Sequence, residues 1–167
     1  MEDLWSLKAS EISKLYLSNE ISLDEIINSV EERFNQVNPK INAIPESTFE
    51  YARKQAKLLD DNKKNNKPLG CLAGVPVTVK INTDQTGFAS TNGLRLNKSL
   101  IAHKNSTVVD NLEKAGALIV GRTNTPAFSI RWFTNNSLHG HTFNPHNKNI
   151  TPGGSSGGAA SATASGI

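Results

Sequence analysis

Six consecutive positions, Gly153 to Gly158, hold four glycines and two serines, and every residue from Ala159 to Gly166 is small. No other stretch restricts the fold as tightly. Glycine lets backbone amides come close to a partner and takes angles that other residues refuse. The run from Ala159 to Ser165 is expected to start a helix that packs tightly, because it has no bulky side chains. A flexible Gly/Ser linker would look similar over six residues. Against a linker, the flanks are not of low complexity, and Pro152 fixes the entry to the loop. A phosphate nest is a further option. However, no G-x-x-x-x-G-K-[ST] pattern is present and no lysine follows the glycines, so a nucleotide loop is not expected.

The chain has 167 residues, enough for one domain with a sizeable core. Hydrophobic residues make up 37% and charged residues 20%, which excludes a disordered chain. The net charge of +3 is mildly basic. The densest cluster, Lys63, Lys64 and Lys67, follows Asp60 and Asp61 and reads as a solvated turn after a helix, so nucleic acid is not an expected partner. Cys71 is the only cysteine, which excludes an internal disulfide. Its apolar neighbourhood predicts a small buried filler. Glu2 and Asp3 begin a segment with no apolar core of signal-peptide type, and no run reaches membrane-spanning length. A soluble cytoplasmic protein is expected.

Leu4, Leu7, Ile12, Leu15 and Tyr16 fall at helical spacing, and Asn19-Glu20 breaks it. Ser22-Leu23-Asp24-Glu25 is a capping box. Ile26, Ile27, Val30, Phe34 and Val37 carry that second helix until Asn38-Pro39, where it is expected to end. Ile41 to Ile44 is a strand candidate, and Thr48 begins a third helix through Leu59. Val75 to Ile81 reads as a buried strand. Ser106 is expected to cap a helix that Gly116 terminates. Ala117 to Val120 is a second buried strand, expected to stop at Gly121. Alternating strands and helices predict an α/β layered fold with a parallel or mixed sheet.

Lys80 closes the apolar strand that begins after Gly74. Partial desolvation there would lower its pKa, and a neutral lysine can act as a general base. From spacing alone, an ordinary lysine at a strand end with its head in water is the favoured reading, and the downstream Gly/Ser loop reverses that preference. Ser129, just after Thr125-Pro126, is a candidate to line a substrate pocket or to serve as a turn serine. His139, His141 and His146 lie close in sequence. No Cys or carboxylate joins them, so no metal site is expected.

With Gly74-Val75-Pro76-Val77-Thr78-Val79-Lys80 upstream of Gly153-Gly154-Ser155-Ser156-Gly157-Gly158, the chain resembles the amidase signature family. Gly121 to Pro126 and Asn144-Pro145 match the pattern between these motifs. The resemblance covers nearly the whole chain. It implies the amidase-signature fold, a mixed sheet covered by helices on both faces and incomplete here, with residues 1–167 as the N-terminal portion of one amidase domain. It implies hydrolysis of a carboxamide by a Ser-Ser-Lys triad, with Lys80 as base and Ser155, after a cis peptide bond, as proton relay. Gly153, Gly154 and Ser156 would form the loop, with the Ser156 hydroxyl holding it. The nucleophilic serine and the oxyanion amides belong to a later Gly-Gly-Ser segment that does not follow Gly158 in this chain, so 1–167 alone is expected to be inactive. No cofactor is implied. The partner is a small amide, and a homodimer is the candidate assembly of the longer protein. Two positions depart from the pattern. Ile81-Asn82 stands where many relatives carry an acidic residue after the lysine, and Ala127 stands where many carry Glu. The alternatives are the glutaminase subunit of a tRNA-dependent amidotransferase, whose acidic, Gly/Ser-rich segment Arg131-Trp132-Phe133 does not match, and a truncated chain that binds without turnover.

Overall fold

The computed structural model describes residues 3–167, so Glu2 of the signal-peptide argument lies outside the described residues. Helices α1 (Ala9–Leu17), α2 (Leu23–Ile41) and α3 (Phe49–Lys64) come first, with strand β1 (Glu46–Ser47) between the last two. Strand β2 (Pro76–Lys80), helix α4 (Thr107–Lys114) and strand β3 (Leu118–Thr123) follow. A short hairpin of β4 (Asn135–Asn136) and β5 (Gly140–His141) then leads to α5 (Gly157–Ala164). The main sheet has the order β1-β3-β2. Its β3 pairs antiparallel with β1 and parallel with β2, so the expected mixed sheet is present.

β3 is buried along its whole length, as a central strand covered on both sides should be. Alternation sends its side chains to two faces. Leu118 and Val120 join Ile26, Ile27 and Val30 of α2 and Phe49, Ala52, Ala56 and Leu59 of α3. Ile119 packs with Val79 of β2 and Val109 of α4. The Phe34 and Phe49 rings meet edge to face at 5.4 Å, locking α2 onto α3.

Several expectations at element ends are corrected. The first helix begins at Ala9, and Leu4–Ser6 forms a separate 3-10 turn. The Lys8 N–H donates to the Glu11 carboxylate at 2.8 Å, which fixes the later start. The Ser22–Glu25 capping box forms as read. The helix it opens passes through Pro39 and ends at Ile41, with Asn42 left-handed. Pro39 lies in the last turn, where one missing N–H costs little, and the Asn38 side chain takes over. Its Oδ1 accepts from the N–H groups of Ala43 and Ile44. Those bonds keep Ile41 to Ile44 out of the sheet, and the strand forms instead at Glu46–Ser47. β3 does not stop at Gly121. The glycine lets Ile44 lie directly on the strand, since a Cβ there would sit 2.7 Å from Ile44 Cγ2, and pairing continues to Thr123. Cys71 is exposed rather than buried, because the turn it occupies buries Ala73 instead. Helix α5 starts at Gly157, two residues ahead of the small-residue run. Among the described residues no helix is long and apolar enough to cross a membrane.

Candidate active site

The parallel pair β2–β3 ends with Lys80 opposite Thr123, and the chain leaving β3 stays buried from Asn124 to Pro126. Groups that act on ligands gather outside the carboxyl ends of such strands. α5 brings the Gly/Ser loop to the same place. Lys80 Nζ donates to Ser155 Oγ at 2.9 Å and to Ser156 Oγ at 3.2 Å. The Gly154–Ser155 peptide bond is cis. Burial holds the Lys80 pKa below its usual range, because the ammonium loses hydration and no carboxylate offsets the loss.

Three hydroxyls organise the loop. Thr134 Oγ1 donates to the Gly153 carbonyl at 3.1 Å and accepts from the Gly157 N–H at 3.0 Å, spanning the loop from one end to the other. Thr125 Oγ1 donates to the Ser155 carbonyl at 3.1 Å and shares a 2.9 Å hydrogen bond with Ser129 Oγ. Ser129 Oγ also accepts from Asn82 Nδ2 at 3.0 Å. Gly154 lies against the backbone of 131–133, where a Cβ would come within 2.6 Å of Phe133 N. The Ser156 hydroxyl turns toward Lys80 and makes no hydrogen bond to the loop backbone among the described residues, so Thr125 and Thr134 hold the loop in its place.

Behind the loop, Asn124 is fully buried and joins three segments. Its N–H donates to the Ala43 carbonyl, its Nδ2 to Thr142 Oγ1 and the Gly140 carbonyl, and its Oδ1 accepts from Asn136. Arg122, also fully buried, donates through one terminal nitrogen to the carbonyls of Ile81, Thr83 and Ala89, and its Nε lies 3.0 Å from the Glu46 carboxylate. Burial raises the Glu46 pKa, and the attraction of Arg122 opposes part of that rise.

The structure places Lys80 beside Ser155 and Ser156 of the Gly153–Gly158 loop, and Ser129 is linked to them through Thr125 and Asn82. Sequence reading missed Thr125, Thr134, Asn82 and Asn124. Thr125 and Asn124 sit inside the 121–126 motif and could have been suspected from it. Asn82 lies at the departure from the family pattern just after the lysine, and Thr134 carries no local signal. Of the histidines, His139 Nε2 lies 3.3 Å from Thr91 Oγ1, and burial, aided by Arg122, holds its pKa low. The His141 ring meets Phe143 edge on. Among the described residues no group of three or more His, Cys, Asp or Glu is placed to hold a metal ion. A cavity of about 720 Å³ lies away from this site, between Trp5, Arg33, Val77, Thr163 and Ile167. Neither Lys80 nor Ser155 lines it.

Within the mixed sheet, the parallel pair β2–β3 presents Lys80 at its carboxyl end to the two loop serines. The chain belongs to the amidase family, whose model, Amidase, matches residues 25–167. It is 44% identical over 164 residues to an indoleacetamide hydrolase of Bradyrhizobium diazoefficiens, a match covering 98% of this chain and 31% of that protein. It is 39% identical to a glutamyl-tRNA(Gln) amidotransferase subunit of Fusobacterium nucleatum, covering 97% of this chain and 33% of that one. The solved structure of a bacterial aryl acylamidase of the amidase signature enzymes superposes with a TM-score of 0.88 at 34% identity, covering 93% of this chain and 32% of that one. The fold is thus part of the amidase-signature fold, and the chain spans about a third of the length of the curated relatives it matches.

Proposed function

We infer that the whole protein hydrolyses a carboxamide to a carboxylic acid and ammonia, and that residues 1–167 are the N-terminal portion of its single amidase domain. The observation that carries this is the 2.9 Å contact between a partly desolvated Lys80 and Ser155. The nucleophilic serine lies beyond residue 167. Ser161 does not supply it, because its hydroxyl is buried and donates to the Phe143 carbonyl. In the reaction, neutral Lys80 takes the Ser155 proton while Ser155 takes the proton of the nucleophile, which attacks the carbonyl. Collapse of the tetrahedral adduct breaks the C–N bond, and the proton returns to the departing nitrogen as ammonia forms. Water then attacks the acyl-enzyme by the same relay and releases the acid. This scheme needs no metal or organic cofactor. Gly153 and Gly154 shape the loop, Ser156 gives Lys80 a second hydroxyl partner, and Ser129 fixes the wall beside it.

The indoleacetamide hydrolase relative supports this reading. The amidotransferase relative favours a second one, in which the same relay releases ammonia from glutamine for a partner protein. We place the reaction in the cytoplasm and take a homodimer as the assembly of the complete protein. Cell fractionation and light scattering test those two points. The test of the chemistry is ammonia release by the complete protein. Lys80→Ala and Ser155→Ala should each lower kcat by roughly 10²–10⁴-fold, the usual contribution of a positioned proton-transfer group. Near-normal turnover in either variant, with an unchanged circular dichroism spectrum, would remove that residue from the relay.

A further inference from the structure

Residues 128–133 read Phe-Ser-Ile-Arg-Trp-Phe, and their large apolar side chains stay out of the core. Trp132 is 87% exposed, Ile130 77%, Phe128 59% and Phe133 44%. Isolated exposed apolar residues need no explanation, but four within six residues form a patch of the kind that marks a contact site. Phe128 and Ser129 have φ of 56° and 58°, a left-handed conformation that a bulky aromatic residue rarely adopts. Strained backbone of this sort gathers at ligand sites.

The segment is tied to the chemistry at both ends and in the middle. At one end Ser129 bonds Thr125 and Asn82, two residues past Lys80. At the other, Thr134 bonds the carbonyl and the N–H on either side of Ser155. Between them, the backbone of 131–133 lies directly against Gly154. The backbone that carries the apolar side chains therefore lies against the loop that holds Ser155.

Resting on the amidase reading above, we propose that Phe128, Ile130, Trp132 and Phe133 form the wall that receives the non-amide end of the substrate, and that this end is an aromatic group. Flat rings pack well against Trp and Phe and gain from offset or edge-on stacking. Glutamine fits the wall poorly. Its α-ammonium needs a carboxylate, and the segment has none. Its only charge, Arg131, lies over the Phe133 ring at 5.9 Å. Burying the charged α-carbon end of glutamine against four apolar side chains would go uncompensated.

The test compares kcat/KM of the complete protein for phenylacetamide, propionamide and glutamine, measured by ammonia release. Phenylacetamide should be preferred. Trp132→Ala and Ile130→Ala should lower the phenylacetamide-to-propionamide ratio by about tenfold to a hundredfold, the discrimination an apolar pocket contact provides. Trp132→Phe should restore most of that ratio. Equal losses on both amides, or a lower melting temperature with an unchanged ratio, would mean that the rest of the chain covers the patch, and would overturn the proposal while leaving the amidase reading intact. Preference for glutamine would overturn the aromatic assignment and favour the ammonia-supplying reading. Absence of ammonia from all three amides would remove the amidase reading, and this proposal with it.

Discussion

Lys80 owes its properties to its place at the end of an apolar strand. Burial disfavours its charged form, which lowers its pKa from the ordinary lysine value. The neutral amine is the form that accepts a proton. Its population rises with pH, and it rises at lower pH than for a solvated lysine. The kcat/KM of the complete enzyme should accordingly fall as pH drops through the Lys80 pKa, with the limb below the usual lysine range. A pH–rate profile measured across the neutral and alkaline range checks this, and a flat profile would argue against a lysine base. Lys80 and Ser155 were legible in the sequence because each sits in a dense motif. The contacts of Thr125, Thr134 and Asn82 were not, because a single threonine or asparagine in a loop has many local uses. Their role depends on which distant backbone groups the fold brings to them.

Elements were legible where one local force dominates. The Ser22 capping box, the apolar spacing of α2 and the β-branched run of β2 each predicted the element that forms. The misreadings lie where a side chain from elsewhere decides. Asn38 carries the backbone past Pro39 and suppresses a strand at 41–44, and Ile44 accounts for the glycine inside β3. α5 shows the same dependence from the other side. Its Gly158 lies on the backbone of Asn124, where a Cβ would meet both the N and the O of that residue at 2.5 Å. Backbone atoms yield less than side-chain tips. Gly158→Ala should therefore destabilise the protein by about 1–3 kcal/mol, the range for an overpacked core, and lower kcat by displacing Ser155. Thermal unfolding and turnover of the one variant measure both effects. An unchanged melting temperature would show that α5 can withdraw from the sheet without cost.

At the scale of the whole molecule, the proposed base, Lys80, has two hydroxyls within hydrogen-bond reach of its Nζ among the described residues, those of Ser155 and Ser156. Residues 1–167 expressed alone should release no ammonia from simple amides, and saturable turnover by that segment would show that the nucleophile has been misplaced. The sheet of this segment also leaves β2 on an outer edge, which invites association, so its size in solution belongs in the same experiment. Arg122 shows how the site can stay fixed while its surroundings change. One buried nitrogen of this side chain holds the 81–89 loop through the carbonyls of Ile81, Thr83 and Ala89. Carbonyl oxygens are common to every residue type, so the anchor does not depend on which side chains the loop carries. Asn82 and Asp84, which project from the same loop, make separate side-chain contacts with Ser129 and Ser90, so a substitution at either position alters those contacts and leaves the backbone anchor beside the lysine in place.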